Sequence, residues 1–280
     1  MDERILTNDD VIAFGRYLVE DEKSGATLDK YIRDVKRFVS FFHLKKIDRQ
    51  GVLEYKNLLK ERYAVTSANS ILAAINAFLS FMGWCDLCVK QFRIQKNAYS
   101  PAEKELTKSD YNALVCAAAE KRNERLSLII QTICATGIRV SELNFITVEA
   151  LEKGEAVVNC KGKTRRIFFV SALRKKLLSY VDREKIKSGP VFVTRTGRPI
   201  SRTNVWREMK ALCKCAGVLP SKVFPHNLRH LFARTFYGIE KDIAKLADIL
   251  GHSNINTTRI YIVTTCEEHR RKMENMRLII

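Results

Sequence analysis

The chain has 280 residues, of which 46% are hydrophobic, and this length predicts two domains rather than one enlarged core. Lysine and arginine number 49 against 31 aspartate and glutamate, and the net charge of +18 predicts a polyanionic partner. The acidic start and the lack of a long apolar run argue against secretion and membrane insertion. We therefore expect a cytoplasmic, nucleoid-associated protein whose eight cysteines stay reduced and bind no metal.

The first 95 residues show the apolar spacing of four amphipathic helices. The first helix follows the polar cluster Asn8-Asp9-Asp10, which supplies capping side chains, and it stops before Ser24-Gly25. The other three are predicted to begin at about Thr27, Arg49 and Ser67. Four such helices with short connections predict a compact bundle, which forms a first domain over residues 1–95.

Residues 96–104 are polar, contain Pro101 and lack an apolar period, which predicts a linker to a second domain over 105–280. That domain should begin with a helix capped by Thr107 and Asp110, and a further apolar helix should end at Gly137. Most of the charge excess lies here, because residues 97–280 hold 33 basic and 18 acidic side chains. The surface that binds a polyanion should therefore lie mainly in the second domain.

The clearest β pattern surrounds a basic turn. Residues 156–159 (AVVN) and 167–170 (IFFV) flank KGKTRR and predict a hairpin. A short apolar run at 191–193, bounded by glycine and proline, predicts a third strand. The predicted fold class is therefore mostly α with two domains, a four-helix bundle followed by a mixed-helical domain that carries a small antiparallel sheet.

Three later segments carry polar side chains suited to chemistry on a polyanion. They are ATGIRVSEL at 135–143 with Arg139, FPHNLRHLFA at 224–233 with His226 and Arg229, and DILGHSNINTTRIY at 248–261 with His252 and Tyr261. A two-metal nuclease would need several converging carboxylates, whereas these segments are rich in arginine and histidine. They favour phosphoryl transfer without a metal or other cofactor, in which cationic groups meet the charge that develops on phosphorus.

In this order the three segments resemble the tyrosine recombinase (phage integrase) family, in particular its short Xer-like members. The match spans Arg139 to Tyr261 and includes a hairpin lysine between the two arginines. The helices of the first domain are similar to the core-binding domain of the family, which closes on DNA. The resemblance implies a site-specific DNA recombinase that works through a 3′-phosphotyrosyl intermediate, with four protomers on two double-stranded sites.

Carried over residue by residue, the resemblance implies that Arg139 and Arg229 clamp the scissile phosphate. A planar, permanently charged guanidinium suits that role. Tyr261 is implied as the nucleophile, and its phenol, with a reference pKa of about 10, needs a proton acceptor. His226 matches the general base, and His252 matches the residue that hydrogen-bonds the phosphate.

The proton for the leaving 5′-hydroxyl comes in this family from a lysine on the hairpin. Aligning the glycine and the last arginine of CKGKTRR with the family pattern selects Lys161. The sequence departs from that pattern at Cys160 and Thr164. Lys163 therefore stays an alternative, since a flexible hairpin can offer either ammonium.

Other polar residues near these motifs are given supporting roles. Residues 161–222 hold 17 basic and 3 acidic side chains, and this stretch supplies the candidate DNA-contacting residues. These are Lys163, Arg165, Arg166 and Arg202. Glu142 is expected to pair with a nearby arginine or to cap the helix start, and His230 is expected to make a hydrogen bond behind the catalytic groups.

The last residues end in the apolar run LII, which the resemblance implies docks on a neighbouring protomer, with packing on its own domain as the alternative. A related recombinase is a further partner to consider. Two other functions stay open at this point. One is a type IB topoisomerase, which relaxes DNA with similar residues, and the other is a DNA-binding regulator without catalysis.

Overall fold

The computed structural model describes residues 4–43, 45–94, 104–160, 163–261 and 274–276. Within them the chain is mostly helical with one two-stranded antiparallel sheet, and this confirms the predicted fold class. The chain divides into two compact units, Met1–Lys96 and Asn97–Ile280. The predicted linker falls almost wholly on residues outside the described ranges. In the part of the chain that is described, no helix combines the length and apolarity needed to cross a membrane.

The first unit is built from four helices, followed by a short 3-10 turn at Cys85–Leu87. The helices are α1 Asn8–Glu20, α2 Gly25–Phe42, α3 Arg49–Arg62 and α4 Val65–Phe81. A capping box starts α1, because the Thr7 hydroxyl accepts from Asp10 N while the Asp10 carboxylate accepts from Thr7 N. Helices α2 and α4 begin two residues earlier than predicted. Their first residues are exposed and do not extend the apolar period, so the sequence pattern did not include them.

Aromatic side chains fill the core of the first unit. Phe14, Phe38 and Phe78 are inaccessible to solvent, and the rings of Phe14 and Phe78 meet edge to face with centroids 5.2 Å apart. Two asparagines of α4, Asn69 and Asn76, each bond both backbone groups of one residue in the segment that follows the bundle. The first unit therefore has its own apolar core, and asparagine side chains hold the following segment against α4.

Among the described residues, the second unit contains further helices, a hairpin and short 3-10 turns. Its helices are α5 Lys108–Glu120, α6 Glu124–Thr136, α7 Val148–Lys153, α8 Ser171–Arg183, α9 Arg202–Lys210, α10 Cys213–Ala216, α11 Pro225–Glu240, α12 Ile243–Leu250 and α13 Ile255–Arg259, with 3-10 turns at Val140–Phe145 and Pro220–Lys222. Helix α5 has the predicted Thr107–Asp110 capping box. Helix α6 runs through the core and packs against α11, with Ile129, Ile130 and Ile133 fully buried.

The predicted hairpin is confirmed as β1 Glu155–Cys160 paired antiparallel with β2 Lys163–Phe168. The strands extend further into the basic run than predicted, because Arg165 pairs with Val158 and Arg166 with Val157 within the ladder. Successive side chains of a strand face opposite sides of the sheet. The two arginines therefore point in opposite directions.

The predicted third strand was wrong. Residues 191–193 make only an isolated bridge between Val193 and Pro199, and Pro190 makes another with Thr147. Val191 and Phe192 are buried, which explains the apolar run. Proline has no N–H to donate, so the two flanking prolines prevent a continuous ladder.

Candidate active site

Gly137 ends α6 at the point where the candidate site begins. Its φ is +64°, in the left-handed region that glycine adopts without strain. A Cβ at this position would lie 2.5 Å from Cδ1 of Phe232, so a side chain here would require the Phe232 ring, or α11 with it, to shift. Arg139 follows two residues later, at the start of the 3-10 turn, with its side chain 35% exposed.

Glu142 is buried directly beside Arg139. Its carboxylate accepts hydrogen bonds from the backbone N and from Nη1 of Arg139, both at 2.9 Å. Nη1 and Nη2 of Arg165 donate to the same carboxylate at 3.0 and 2.5 Å. Burial alone would raise the pKa of Glu142, but the hydrogen bonds from Arg165 and Arg139 outweigh it and lower that pKa. The predicted pairing of Glu142 with an arginine is confirmed, and a second arginine shares it.

Arg229 lies on α11, which begins at Pro225 as predicted. The side chain is 1% exposed, and its Nη1 donates to the carbonyl of Gly137 while its Nη2 donates to the carbonyl of Leu250 at 2.7 Å. Its Nε is buried and finds no acceptor among the described residues. Arg229 thus links the carboxyl ends of α6 and α12, while its Nε–H has no acceptor among the described residues.

The electrostatic environment of Arg229 is unfavourable for a cation. Burial, and then the positive charge of Arg139, lower its pKa to about 10, while the neighbouring Tyr261 acts in the opposite direction. A guanidinium with this pKa is still charged at neutral pH. Within the described residues no carboxylate forms an ion pair with Arg229. A buried cation without such a partner is costly, so this position favours an incoming anion.

His252 follows Gly251, the residue that ends α12 with φ +66°. Its Nε2 lies 2.9 Å from Nη2 of Arg229, and its Nδ1 lies 2.9 Å from Oγ1 of Thr258. Because a guanidinium can only donate, Nε2 must accept and Nδ1 must carry the proton. Burial, followed by the charges of Arg229 and Arg139, lowers the pKa of His252 to about 4. The ring is therefore neutral at pH 7.

Tyr261 is 5% exposed and is surrounded by three histidine rings. The ring centroids of His230, His252 and His226 lie 4.3, 5.4 and 5.6 Å from that of Tyr261. Residues far apart along the chain, on α11 and after α12, thus meet at this phenol. The structure brings together four of the predicted catalytic residues, and Arg139 lines a cleft that also contacts His226 and Arg229.

His230 is the residue that sequence reasoning undervalued. Its predicted supporting hydrogen bond is not present among the described residues, and its ring instead packs on Tyr261 and on His226, 4.8 Å away. Burial, and then the neighbouring His226, lower its pKa to about 4. His226 and His230 are four residues apart, and residues at this spacing share one face of a helix. The sequence therefore contains a signal for their contact.

A cleft of about 400 Å³ opens beside these groups. Its lining includes Arg139, His226 and Arg229, together with the exposed side chains of Arg202 and Trp206 from α9. His226 is solvent-exposed, although the protein packed around its ring, and then the charge of Arg229, lower its pKa. Among the residues that the structure describes, no three side chains are grouped as metal ligands.

The remaining predicted residues lie on or near the hairpin. Lys161 lies outside the described residues, and Lys163 is the first residue of β2. The Arg166 side chain is 68% exposed, whereas that of Arg165 is 12% exposed and bonded to Glu142. The structure therefore places Arg166 at the surface and Arg165 against a buried carboxylate.

Two arginines, neutral histidines and a tyrosine converge in one mostly helical unit. Cationic groups along a cleft suit an anionic substrate, and a phenol beside neutral imidazoles can lose its proton and attack phosphorus. The fold and the site thus define an enzyme that transfers phosphoryl groups through a tyrosine. The chain belongs to the phage integrase family, whose model matches residues 104–268.

Individual relatives refine this assignment. The chain is 29% identical over 269 residues to tyrosine recombinase XerD of Halalkalibacterium halodurans, with 88% of this chain and 90% of that protein covered. It is 28% identical over 288 residues to tyrosine recombinase XerA of Pyrococcus furiosus, with 100% and 98% covered. A crystal structure of a lambda integrase dimer bound to a COC′ core site shares the fold, with a TM-score of 0.74 and 18% identity over 93% of this chain and 78% of that one. The predicted Xer-like tyrosine recombinase is confirmed.

Proposed function

We propose that this protein is a site-specific DNA recombinase that exchanges strands by transesterification, without a metal or a nucleotide cofactor. The observation that carries the proposal is the convergence of Arg229, His252 and Tyr261 beside a cleft lined by Arg139. Recombinases similar over nearly the whole chain support it. The net charge of +18 supports DNA as the substrate, because phosphate contacts dominate DNA affinity.

In the first chemical step the phenolic oxygen of Tyr261 attacks the scissile phosphorus. A new P–O bond forms, the bond to the 5′-oxygen breaks, and a 3′-phosphotyrosyl enzyme and a free 5′-hydroxyl strand result. The phenolic proton passes to His226, and a hairpin lysine, Lys161 or alternatively Lys163, protonates the leaving oxygen. The 5′-hydroxyl of the partner strand reverses the step. One phosphodiester is exchanged for another, so the reaction needs no ATP.

The arginines stabilise the charge that develops on the non-bridging oxygens. The unused Nε of Arg229 supports this role, since a phosphate oxygen would supply its missing acceptor. Gly137 and Leu250 hold the rest of the guanidinium, so little reorganisation is needed when the charge develops. His252 accepts from Arg229 through Nε2 and so orients the fork. For Nε2 to donate to the phosphate, the proton must first be on that atom.

His226 suits the general base on two grounds. Its ring is exposed in the cleft, and its lowered pKa keeps it neutral and able to accept a proton at pH 7. His252 is less suited, because both of its nitrogens already have partners. His230 packs on the Tyr261 ring and would hold that ring in place.

The assembly that we propose has four protomers on two DNA sites, and a related recombinase is the heteromeric partner to test. The dimeric lambda integrase on its core site supports a multimer on DNA. We assign DNA clamping to residues 1–95, the linker to 96–104 and catalysis to 105–280, with docking of the apolar tail on a neighbouring protomer. Of that tail the structure describes only residues 274–276. Integration, excision and dimer resolution all use this chemistry.

The alternatives are less well supported. A type IB topoisomerase would relax DNA with similar residues, but the XerD and XerA proteins that match 88% and 100% of this chain are tyrosine recombinases. A regulator without catalysis would not need a tyrosine held among three histidines beside a charged Arg229. Neither alternative has an observation in its favour.

The proposal is tested by covalent capture of DNA. The probe is a library of duplexes whose random sequence flanks a fixed nick, incubated with the full chain in EDTA. Cleavage near the nick releases a short fragment that diffuses away, and this traps the enzyme on its site. We expect wild-type protein to form an adduct that survives denaturation, and the recovered DNA then defines the recognised sequence.

The matched control is Tyr261→Phe, which removes one oxygen and keeps the ring that packs among the histidines. It should bind the recovered site as well as wild type does and should form no adduct. A peptide carrying the DNA should contain Tyr261. An adduct formed by the phenylalanine variant would identify another nucleophile, and cleavage that depends on added magnesium would point to a metal nuclease.

A further inference from the structure

We propose that Arg165 is a positioning residue that anchors the β1–β2 hairpin to the catalytic Arg139 through Glu142, rather than a DNA contact. The inference rests on the proposed function, since it concerns where that reaction gets the proton for its leaving group. The strand β2 follows directly on the turn that carries Lys161 in the sequence. A fixed β2 therefore fixes the base of the segment that supplies the general acid.

The geometry of Glu142 makes it a junction between two parts of the unit. Both of its oxygens accept from both arginines: Oε1 from Nη1 of Arg139 and Nη1 of Arg165, and Oε2 from the Arg139 backbone and Nη2 of Arg165. Such a paired fork fixes the guanidinium plane as well as its position. The carboxylate is 2% exposed, so the arginines and not bulk water satisfy its oxygens.

Arg165 is poorly placed to contact DNA directly. Its side chain is 12% exposed, both Nη atoms are bonded to Glu142, and its Nε is buried without an acceptor among the described residues. Arg166, the next residue, faces the other side of the hairpin and is 68% exposed, and its one ion-pair partner among the described residues is Glu155 at 3.6 Å. Of the two, Arg166 has the geometry of a phosphate contact and Arg165 that of an internal support.

The turn at Gly251 also packs against Arg165. A Cβ on Gly251 would lie 2.9 Å from Cδ and 3.0 Å from Nη1 of Arg165. The following residue is His252, which holds Arg229. Arg165 therefore lies where the hairpin, the Arg139 turn and the turn before His252 meet.

The contacts predict which catalytic step fails when Arg165 is removed. Glu142 keeps its two hydrogen bonds to Arg139, so the phosphate clamp retains a support of its own. The hairpin loses its bond to Glu142, and we expect this loss to slow the protonation of the leaving oxygen by a hairpin lysine. The defect should therefore lie in leaving-group protonation more than in charge stabilisation.

This difference can be measured by single-turnover cleavage at saturating enzyme on the captured site. One substrate has the normal 5′-oxygen at the scissile bond, and the other has a bridging 5′-sulfur, which leaves without a proton. Arg165→Ala should cleave the oxygen substrate about 10- to 100-fold more slowly than wild type and the sulfur substrate within about threefold of it. Arg165→Lys, which keeps the charge but not the fork, should lie between the two.

Two further variants complete the design. Glu142→Gln removes the charge that both arginines share, so it should be slow on both substrates. Arg183→Ala removes an exposed ion pair between Arg183 on α8 and Glu124 on α6. This control variant should cleave both substrates at the wild-type rate. Thermal unfolding and the affinity for uncleaved DNA are measured for each variant. If Arg165→Ala does not fold, Arg165→Lys carries the comparison.

The inference is overturned if the Arg165 variants are equally slow on both substrates, or if their main defect is weaker DNA binding. It is also overturned if they cleave the oxygen substrate as fast as Arg183→Ala. Failure of the proposed function looks different, because wild-type protein would then form no adduct with either substrate. Selective recovery on the sulfur substrate supports the inference.

Discussion

Both units bury charged side chains, but they neutralise them in different ways. In the first unit Asp34 is 3% exposed, and its partners Lys30 and Arg33, at 2.8 and 3.6 Å, belong to the same helix α2. In the second unit the buried Arg229 takes partners from segments up to 92 residues away along the chain. Local pairing stabilises one helix, whereas distant pairing holds several segments in fixed positions around a site.

The balance of charge differs as well. Asp34 has two cationic neighbours that reach solvent, with side chains 32% and 59% exposed. At the site, Arg139, Arg165 and Arg229 lie together with Glu142 as the carboxylate bonded to two of them. Buried ion pairs are weak sources of stability, and an excess of buried cations is unfavourable. The second unit thus keeps an arrangement whose advantage is binding an anion.

The largest contrast should come from removing the buried charge in each unit. Arg229→Ala should slow adduct formation by the equivalent of about 3–4 kcal/mol, because a positioned transition-state donor is lost. Asp34→Asn should leave cleavage unchanged and lower the stability of the first unit by about 1 kcal/mol. Single-turnover cleavage and denaturant unfolding measure the two effects. A cleavage defect in Asp34→Asn comparable to that of Arg229→Ala would contradict the contrast.

A glycine in each unit offers a comparison of intermediate size. Gly83 and Gly137 both have positive φ, +74° and +64°, so alanine is strained at either position by about 1 kcal/mol. A Cβ on Gly83 meets nothing within 4 Å, whereas one on Gly137 meets Phe232 at 2.5 Å. Gly137→Ala should therefore cost about 2–4 kcal/mol in unfolding free energy, since overpacking adds to the strain.

Chemical denaturation of the two alanine variants measures this difference. Gly137→Ala should also slow cleavage, because the Gly137 carbonyl holds Arg229. Gly83→Ala serves as the control for backbone strain alone. Equal losses of stability would show that the Phe232 ring or α11 can shift without cost.

The helices and their ends could be predicted because they depend on local chemistry. The Thr107–Asp110 capping box, Pro225 at the start of α11 and the glycine after α6 are each confirmed by the structure. The third strand could not be predicted correctly, because burial produced the apolar run and prolines removed the pairing. Local patterns thus specify elements better than they specify which elements pair.

The site was predictable as a set of residues and not as an arrangement. Family motifs selected Arg139, Arg229, His252 and Tyr261, and the structure places them near one another. Whether those roles are correct stays a prediction. The bond between Arg165 and Glu142 joins residues 23 apart across a hairpin and a turn, and charge alone marked Arg165 as a DNA contact. The packing of His230 on Tyr261 likewise depends on tertiary contacts.

A further expected effect concerns pH and again separates the two units. The pKa values of His230 and His252 are lowered to about 4 in the folded protein, mainly by burial, against 6.5 for an ordinary histidine. Between these values the unfolded chain binds more protons than the folded one, so stability is lost as pH falls through this window. Residues 1–96 hold one of the five histidines. The second unit should therefore weaken before the first between about pH 6.5 and 4.

The chain has one tryptophan in each unit, Trp84 and Trp206, so each unit can be followed separately. In Trp84→Phe the remaining fluorescence reports the second unit, and in Trp206→Phe it reports the first. The midpoint of urea unfolding should fall with decreasing pH more steeply for the second unit. His230→Phe keeps a ring against Tyr261 but cannot take up a proton, so it should reduce that slope. If both units lose stability in parallel and His230→Phe changes nothing, the buried neutral histidines do not set the acid sensitivity of the site.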